Sequence, residues 1–319
     1  MKLAVYRGGG VIAIEDAPVP ACPPGGLLVQ VQASALCSGE LMAWYMDQKA
    51  PHVLGHEFAG IVIESQAEGF PVGCRVAPHH HAPCMTCDLC RTGHTVHCPT
   101  WKRTKLDPGG LAEIVAVSAD LLTDCHRVDD LDPRDAALVE PLACVMKSLR
   151  RARWTPEDRT AVIGLGVMGL MHALLCPGAT GLDLSAARRE WAVSQGVSAG
   201  ESAAERSCDV VFVCPGSDAA IEAGIRLAAP GARVVLFAPT EPGHLTELDL
   251  NALYFRDIEL ISCYSCGPAD TAQAVQALRA GKVRAANVVS DFIGMDQLPE
   301  KYLEMKSGTI VKPMVLFQT

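Results

Sequence analysis

The sequence predicts an α/β protein built from a β-rich domain followed by a doubly wound parallel sheet. Three observations carry this prediction. Apolar runs such as 27–33 and 60–63 alternate with Pro/Gly turns early in the chain, as strands do. From about residue 135, helical and strand-like segments alternate, which favours parallel strands with helices on both faces. A glycine-rich turn at 164–169 joins one of these strands to a helix.

The chain divides by pattern into three segments. Residues 1–140 form the β-rich domain, 141–285 form the parallel-sheet domain, and 286–319 return to the first domain, because the tail at 310–317 regains strand-like character. The second segment has a predicted helix at 141–153, another at 167–176, and predicted strands at 161–163, 180–183, 209–213 and 232–237.

Composition limits the function. The 319 residues include 49% hydrophobic and 20% charged residues, which is typical of a globular protein. The formal charge of −9 gives no basic surface for nucleic acid or an anionic membrane. The start lacks an apolar signal core, and the longest apolar run, 161–176, is too short to span a bilayer. With 14 cysteines, this pattern predicts a cytoplasmic protein whose thiols are reduced or bind metal.

The turn at 164–169 has the spacing G-x-G-x-x-G of a dinucleotide-binding loop. Gly164 permits a tight turn, Gly166 lets the backbone approach a pyrophosphate, and Gly169 lets the helix pack closely on the strand. Val167 and Met168 begin that helix, whose positive N-terminal end faces the phosphates.

An acidic residue follows at the distance that a ribose-binding carboxylate requires. Asp183 ends the second strand, about 20 positions after the first glycine, and would accept hydrogen bonds from the ribose hydroxyls. It would also repel a 2′-phosphate, which favours NAD over NADP. Arg188 and Arg189 are either further cofactor contacts or solvated charges of the next helix.

Two groups of metal-ligand residues lie in the β-rich segment. Cys84, Cys87, Cys90 and Cys98 have the spacing C-x2-C-x2-C-x7-C, which predicts a closed, structural zinc site. The nearby histidines are predicted to be surface residues because four thiolates already satisfy the metal; they are His79, His80, His81, His94 and His97.

The second group is dispersed. Cys37, His56, Glu57 and Glu140 together offer sulfur, nitrogen and oxygen ligands, and such a set leaves an open position for substrate on a catalytic zinc. Their separation along the chain does not by itself bring them together. Structural or solvated roles are the alternative interpretation.

The motifs together resemble the zinc-dependent medium-chain dehydrogenase/reductase family, in the branch of sorbitol, threonine and glucose dehydrogenases. The resemblance spans nearly the whole chain and rests on Leu-Gly-His-Glu-Phe-Ala-Gly at 54–60, the four cysteines, Glu-Pro-Leu-Ala at 140–143, the glycine turn, and the segments 250–256 and 262–265. It implies a GroES-like catalytic domain closed over a Rossmann domain, with NAD and a catalytic zinc in the cleft and a second, structural zinc.

The resemblance also implies roles for residues. Cys37 and His56 become ligands of the catalytic zinc, and either Glu57 or Glu140 supplies the oxygen ligand. One departure concerns proton transfer, because Gly39 stands where the family has a hydroxyl residue. Ser38, a zinc-bound water, Glu57 or Glu140 remain as routes for the proton. Trp44 and Tyr45 lie either near the substrate or in the core.

The predicted function is reversible oxidation of a secondary alcohol by NAD, with a polyol, sugar or hydroxy-amino acid as substrate. Two alternatives stay open: a zinc-free NADPH-dependent reductase of quinones or enones, and a non-catalytic NAD-binding protein. Family habit predicts a homodimer or homotetramer, with the segments 232–237 and 262–267 as candidate contacts.

Overall fold

The structure, a computed structural model, describes residues 1–318. Its strands are β1 Lys2–Tyr6, β2 Ile12–Asp16, β3 Leu27–Ala35, β4 His52–Val53, β5 Glu57–Ser65, β6 Arg75–Pro78, β7 Ile114–Val117, β8 Cys125–Arg127, β9 Thr160–Ile163, β10 Thr180–Leu182, β11 Ser198–Gly200, β12 Cys208–Val213, β13 Ala228–Leu236, β14 Glu259–Ser262, β15 Asp291–Ile293 and β16 Pro313–Leu316. Its α-helices are α1 Ala43–Met46, α2 Asp88–Arg91, α3 Pro99–Arg103, α4 Pro133–Ala136, α5 Val139–Arg151, α6 Val167–Leu175, α7 Ala186–Ser194, α8 Asp218–Leu227, α9 Leu250–Tyr254, α10 Pro268–Arg279, α11 Ala285–Val288 and α12 Leu298–Ser307.

The chain folds into two units. The first contains Met1–Ala143 and Cys266–Thr319, and the second contains Cys144–Ser265. The chain therefore returns to the first unit at Cys266, not near residue 286 as the sequence predicted. The strand-like tail was the only sequence signal of a return, whereas α10 already belongs to the first unit, where Thr271 Oγ1 lies 2.8 Å from His126 Nε2.

The first unit is β-rich, as predicted. Its larger sheet has the order β15-β16-β3-β5-β6-β8, with β7 paired to β3, and a smaller sheet has the order β2-β1-β4. β3 and β5 are both nine residues long and pair antiparallel, so their inward side chains form much of the core. Leu27, Val29 and Val31 alternate along β3 and are fully buried, which is the period of a strand with one face on a core.

The second unit is a parallel sheet with helices between its strands. The strand order is β11-β10-β9-β12-β13-β14, and every neighbouring pair is parallel. Renumbered from β9, this order is 3-2-1-4-5-6, which is that of the dinucleotide-binding doubly wound fold. The predicted fold class is thus confirmed. Among residues 1–318, no helix is both long and apolar enough to cross a bilayer.

One predicted subunit contact does not suit this topology. β13, which contains residues 232–236 of the segment 232–237, pairs with β12 on one side and β14 on the other. Its backbone hydrogen bonds are already made, so it offers no edge to a second chain. The edge strand on this side of the sheet is β14.

His172 makes the stability of the second unit depend on pH. It is fully buried in α6, with its Nε2 2.6 Å from Ser148 Oγ and its Nδ1 2.7 Å from the Met168 carbonyl oxygen. Burial lowers the pKa of His172 from 6.5 to about 4. Between pH 6.5 and about pH 4, the histidine is protonated in the unfolded chain but not in the folded protein. The free energy of unfolding therefore falls by up to about 1.4 kcal/mol for each unit by which the pH decreases. Above pH 6.5, His172 does not make the free energy of unfolding depend on pH.

We expect His172→Gln to reduce this acid sensitivity. Denaturant unfolding of the wild type and of the variant at about pH 7 and about pH 5 measures how much free energy of unfolding each protein loses at the lower pH. This decrease should be smaller in His172→Gln. His97→Gln is the matched control, since His97 is exposed and should leave the loss unchanged. Equal losses in the wild type and in His172→Gln would contradict the assignment.

Candidate metal and cofactor sites

The four cysteines of the C-x2-C-x2-C-x7-C segment come together around one point. Cys84 Sγ lies 3.6 Å from Cys98 Sγ, and Cys87 Sγ lies 3.5 Å from Cys90 Sγ. All four sulfurs are within 4.8 Å of one another. Zn–S bonds of about 2.3 Å in a tetrahedron separate sulfurs by about 3.8 Å, so the cluster needs only small adjustments to hold zinc.

The protein around this cysteine cluster favours thiolates. The hydroxyl of Thr86 lies 3.4 Å from Cys84 Sγ, and this hydrogen bond, with backbone N–H groups, lowers the pKa of Cys84 to about 5. Val96 and Trp101 pack against the cysteines as a small core of their own. None of the cysteines in residues 1–318 forms a disulfide. Several thiolates at these distances repel one another, and a bound metal ion would neutralise their charge.

The histidines near this cluster are not all surface residues. His94 and His97 are exposed, but His79 is only 2% exposed, and His80 and His81 are partly buried. The prediction was wrong for these three because β6 ends at Pro78 and the chain then continues through the interior. A run of polar residues did not indicate that path.

The dispersed candidates are brought together by the pairing of β3 and β5. Ala35, the last residue of β3, is the register partner of Glu57, the first residue of β5. Cys37 therefore lies just beyond one strand and His56 just before the other. The ligand atoms of Cys37, His56 and Glu57 lie within 4.8 Å of one another. We call these three residues the Cys37 site.

Glu40 positions the ligands of the Cys37 site. Its carboxylate accepts hydrogen bonds from the backbone N–H groups of Gly55, at 2.7 Å, and Cys37, at 3.2 Å. It also lies 3.4 Å from His56 Nδ1, which leaves Nε2 to act as the ligand atom. Burial alone would raise the pKa of Glu40, but the hydrogen bonds from His56 and Gly55 lower it overall. Glu40 thus acts on the ring as an anion.

Lys312 is a residue of this region that the sequence analysis missed. It is fully buried, its Nζ lies 2.5 Å from Glu57 Oε2, and it donates to the Leu36 carbonyl oxygen at 2.9 Å. It is the residue before β16, which pairs with β3. A lysine inside an otherwise apolar, strand-like tail was the available signal, because a buried lysine needs an anionic partner.

Glu140, the other predicted oxygen ligand, is close to the Cys37 site, because its charge contributes to raising the pKa of both Cys37 and Glu57. It lies in the first turn of α5 and clusters with His79 and Cys266. Ser38 begins the short 3-10 helix that follows Cys37, and the N–H of Gly39 lies 3.3 Å from Cys37 Sγ.

The two aromatic candidates near the Cys37 site differ in exposure. Trp44 is half-buried, whereas Tyr45 is 42% exposed and stacks against Lys49. Core packing is therefore excluded for Tyr45.

The Cys37 site fits a divalent ion chemically. Burial raises the pKa of both Cys37 and Glu57, so their charged forms require a neighbouring cation. Lys312 is one such cation, and a metal ion would be the other. Thiolate, imidazole and carboxylate ligands together suit zinc.

The glycine turn has the predicted geometry, with a tight turn at its first glycine, open space at its second and close packing at its third. It lies between β9 and α6, and Gly164 has a φ of +85°, which disfavours residues with side chains. A Cβ at Gly169 would lie 1.7 Å from the Gly164 carbonyl oxygen, whereas a Cβ at Gly166 would meet nothing within 4 Å. Gly169 permits close packing, and Gly166 faces open space that a phosphate can approach.

Asp183 directly follows β10 and reaches back to this turn. Its Oδ2 accepts a hydrogen bond from the Leu165 N–H at 2.7 Å, and its Oδ1 accepts one from Ser185 at 2.8 Å. Arg188 Nη1 lies 3.7 Å from Asp183 Oδ2, so it pairs with the acid. Val167 and Met168 form the first turn of α6 beside the loop. The structure thus gathers the predicted cofactor residues at one sheet edge.

We expect Gly169→Ala to destabilise the second unit by about 1–3 kcal/mol, because the new methyl group forces apart two packed backbone segments. Gly166→Ala is the matched control, with the same chemical change in the same turn but open space around it. Denaturant unfolding without cofactor measures both. Equal stability of the two variants would contradict the close contact at Gly169.

Comparisons with known proteins agree with this geometry. Residues 23–128 match the family model of the alcohol dehydrogenase GroES-like domain. The D-altritol 5-dehydrogenase of Agrobacterium fabrum strain C58 is 32% identical over 282 residues, which are 82% of this chain and 82% of that protein. The chain belongs to the zinc-dependent medium-chain dehydrogenase/reductase family. As a member of this alcohol dehydrogenase family, it is an oxidoreductase that uses zinc and a nicotinamide cofactor.

Further relatives of the zinc-dependent dehydrogenase support the same placement. D-xylulose reductase A of Aspergillus oryzae is 24% identical over 345 residues, covering 98% of this chain and 95% of that protein. Among solved structures, a zinc-binding dehydrogenase of Sinorhizobium meliloti 1021 bound to NADP matches with a TM-score of 0.88 and 24% identity, over 99% of both chains. The 2R,3R-butanediol dehydrogenase of Bacillus subtilis matches with a TM-score of 0.85 and 20% identity, also over 99% of both.

Proposed function

We propose that this dehydrogenase interconverts a secondary alcohol of a polyol or sugar and the corresponding ketone, with NAD as hydride acceptor. The observation that carries the proposal is the Cys37 site, in which three donor atoms of different elements lie within 4.8 Å and are oriented by Glu40 and Lys312. The polyol class is supported by the D-altritol and D-xylulose enzymes named above.

The residues of the Cys37 site have distinct tasks in this chemistry. Zinc bound there would polarise the substrate hydroxyl, and NAD would accept the hydride. Cys37, His56 and Glu57 would hold the ion, since their ligand atoms lie within 4.8 Å of one another, and Glu140, whose charge acts on both Cys37 and Glu57, would be the alternative oxygen ligand. Glu40 fixes the imidazole of His56 through Nδ1, and the cysteine cluster would hold a second, structural zinc.

We infer a preference for NAD over NADP from Asp183. Its carboxylate lies at the glycine turn, where it can accept hydrogen bonds from ribose hydroxyls and repels a 2′-phosphate. We expect kcat/KM to favour NAD by about 100-fold, or about 2.7 kcal/mol. Asp183→Asn keeps the hydrogen-bond acceptor and removes the charge, so it should reduce this preference. Equal rates with both cofactors in the wild type would contradict the assignment.

Exposed aromatic side chains and the state of the cysteines support proposals about the oligomeric state and the cellular location. Exposed aromatic side chains, Tyr254, Phe255 and Tyr264, lie close in sequence to the edge strand β14, which favours a homo-oligomer formed across that edge. Light scattering of the wild type and of Phe255→Asp tests it, since the variant should shift toward the monomer. The cysteines of residues 1–318 form no disulfide, which suits a reducing compartment, so we place the enzyme in the cytoplasm.

A substrate panel tests the proposed reaction. Purified zinc-replete protein is incubated with polyols, sugars, hydroxy-amino acids and simple alcohols in the presence of NAD, and NADH formation is followed by absorbance. We expect turnover with a polyol or sugar. Activity only with quinones or enones and NADPH would favour the zinc-free alternative, and NAD binding without any turnover would favour a non-catalytic protein.

A further inference from the structure

A row of histidine rings extends from His56 of the Cys37 site. The ring centroid of His80 lies 4.6 Å from that of His56 and 4.4 Å from that of His81. The carbonyl oxygen of Thr104, the residue before Lys105, accepts a hydrogen bond from His81 Nδ1. We call His56, His80 and His81 the histidine row. It connects the ligands of the Cys37 site with the segment that carries Lys105.

Lys49 and Lys105 bring positive charge to this region. Burial has the largest effect on His52 and lowers its pKa, and the charges of Lys49 and Lys105 lower it further. Glu40, which orients the ring of His56, acts on the pKa of His52 in the opposite direction. The charge of Lys49 also lowers the pKa of the other two histidines of the row, for which burial is again the largest cause. Both lysines are therefore close to the Cys37 site.

The two lysines have no anionic partner of their own in the part of the chain from residue 1 to residue 318. Both are exposed, and neither forms an ion pair with a carboxylate there. Lys49 Nζ lies 3.6 Å from the centroid of the Tyr45 ring, a contact that orients the ammonium group without neutralising it. Asp47, the nearest acid to Lys49 along the chain, instead accepts hydrogen bonds from the Tyr6 hydroxyl, at 2.6 Å, and from a backbone N–H.

The local excess of positive charge contrasts with the chain as a whole, in which 36 acidic residues exceed 27 lysines and arginines. The acids of the Cys37 region are already engaged, Glu40 by backbone N–H groups and Glu57 by Lys312. A positive potential of this kind attracts anions and raises their concentration at the site. Lysine binds phosphate and carboxylate groups as a point charge.

We propose that the substrate oxidised at the Cys37 site carries an anionic group at the end of its carbon chain, and that Lys49 and Lys105 bind this group. The inference rests on the proposed function, because the hydroxyl at the metal must belong to a polyol or sugar. The terminal group of such a chain lies away from the reacting hydroxyl, and the lysines lie near His52 rather than among the ligand atoms. A phosphate ester and a carboxylate both supply the charge, so sugar phosphates and sugar acids are the two candidate classes.

A matched series of substrates tests the proposal on the zinc-replete, full-length protein. The best neutral polyol of the panel, its terminal phosphate ester and the corresponding aldonic acid differ at one end of the chain. With NAD, kcat/KM should be at least about 10-fold higher for one of the charged compounds than for the neutral polyol. The compound with the higher value identifies the anionic group. Higher ionic strength should reduce this advantage, because both lysines are exposed.

Lysine variants assign the effect to this surface. Lys49→Met and Lys105→Met should each lower the charged-to-neutral ratio of kcat/KM by about 3- to 10-fold, through a higher KM for the charged compound. Lys282→Met is the matched control and should keep the wild-type ratio. Lys282 is also exposed and without an ion pair within residues 1–318, and it is not among the main charges that act on His52 or the histidine row.

Failure of this inference and failure of the proposed function give different results. A wild type that oxidises the neutral polyol at least as efficiently as both charged compounds would overturn the inference and leave the proposed function intact. A ratio that stays unchanged in both Lys49→Met and Lys105→Met would also overturn it. Absence of turnover with every compound of the panel and of the matched series would overturn both.

Discussion

Cys37→Ser is expected to lower kcat/KM by at least about 10³-fold, which corresponds to about 4 kcal/mol of lost transition-state stabilisation. Cys37 supplies the thiolate of the Cys37 site, and burial raises its pKa, so the site needs the metal to keep the sulfur charged. A serine hydroxyl is a far weaker zinc ligand. Without the ion, the substrate hydroxyl would lose its proton less readily, and the carbon that bears it would transfer hydride to NAD more slowly. Steady-state kinetics with the best substrate of the panel measures the effect.

Cys74→Ser is the control for Cys37→Ser. Cys74 is a buried cysteine of the first unit that packs in the apolar core and belongs to none of the metal clusters of residues 1–318. It should lower stability slightly and keep the catalytic rate. Elemental analysis should show the loss of one ion in Cys37→Ser and none in Cys74→Ser. Full activity in Cys37→Ser would show that the metal at Cys37 is not the catalyst.

Lys312→Met is expected to lower the free energy of unfolding by about 3–5 kcal/mol, because it leaves the buried Glu57 carboxylate without its closest cation. The side chains of the pair are 0% and 1% exposed, so water cannot replace the ammonium group. Methionine has nearly the same shape as the lysine stem and creates little cavity. Denaturant unfolding of every variant in the presence of a metal chelator measures the change, because no zinc then compensates the charge of Glu57.

Two variants make the Lys312 experiment specific. Lys2→Met removes a lysine from an exposed pair with Asp296, whose side chains are 52% and 82% exposed, and should cost less than about 1 kcal/mol. The double variant Lys312→Met/Glu57→Gln removes the stranded charge and should recover part of the stability. If Lys312→Met is no more destabilising than Lys2→Met, the buried pair does not stabilise the fold.

The features that were correctly placed from sequence are local ones. The cysteine cluster and the glycine turn each occupy one short segment, so residue spacing nearly determines which atoms meet. Asp183 was also placed correctly, because parallel strands end at a common sheet edge and its distance from the turn is fixed by one helix. The motifs near the Cys37 site carried the family resemblance, and the family is confirmed.

Other features depended on distant parts of the chain. His79 looked like a surface residue in a polar run, yet it is buried against Asp124 and Cys266. Lys312 and Glu57 are separated by most of the sequence and meet because β16 and β5 both pair with β3. The chain returns to the first unit at Cys266, before any sequence signal marked the change.

By itself, the sequence determined the fold class, the thiol cluster, the glycine turn and the family. Each of these is carried by spacing within a segment, which the covalent chain fixes. Only the tertiary structure showed which cation pairs with Glu57 and which histidine is buried against Cys266. Strand pairing and burial set those distances and charges, and they depend on residues that are neighbours in space but not along the chain.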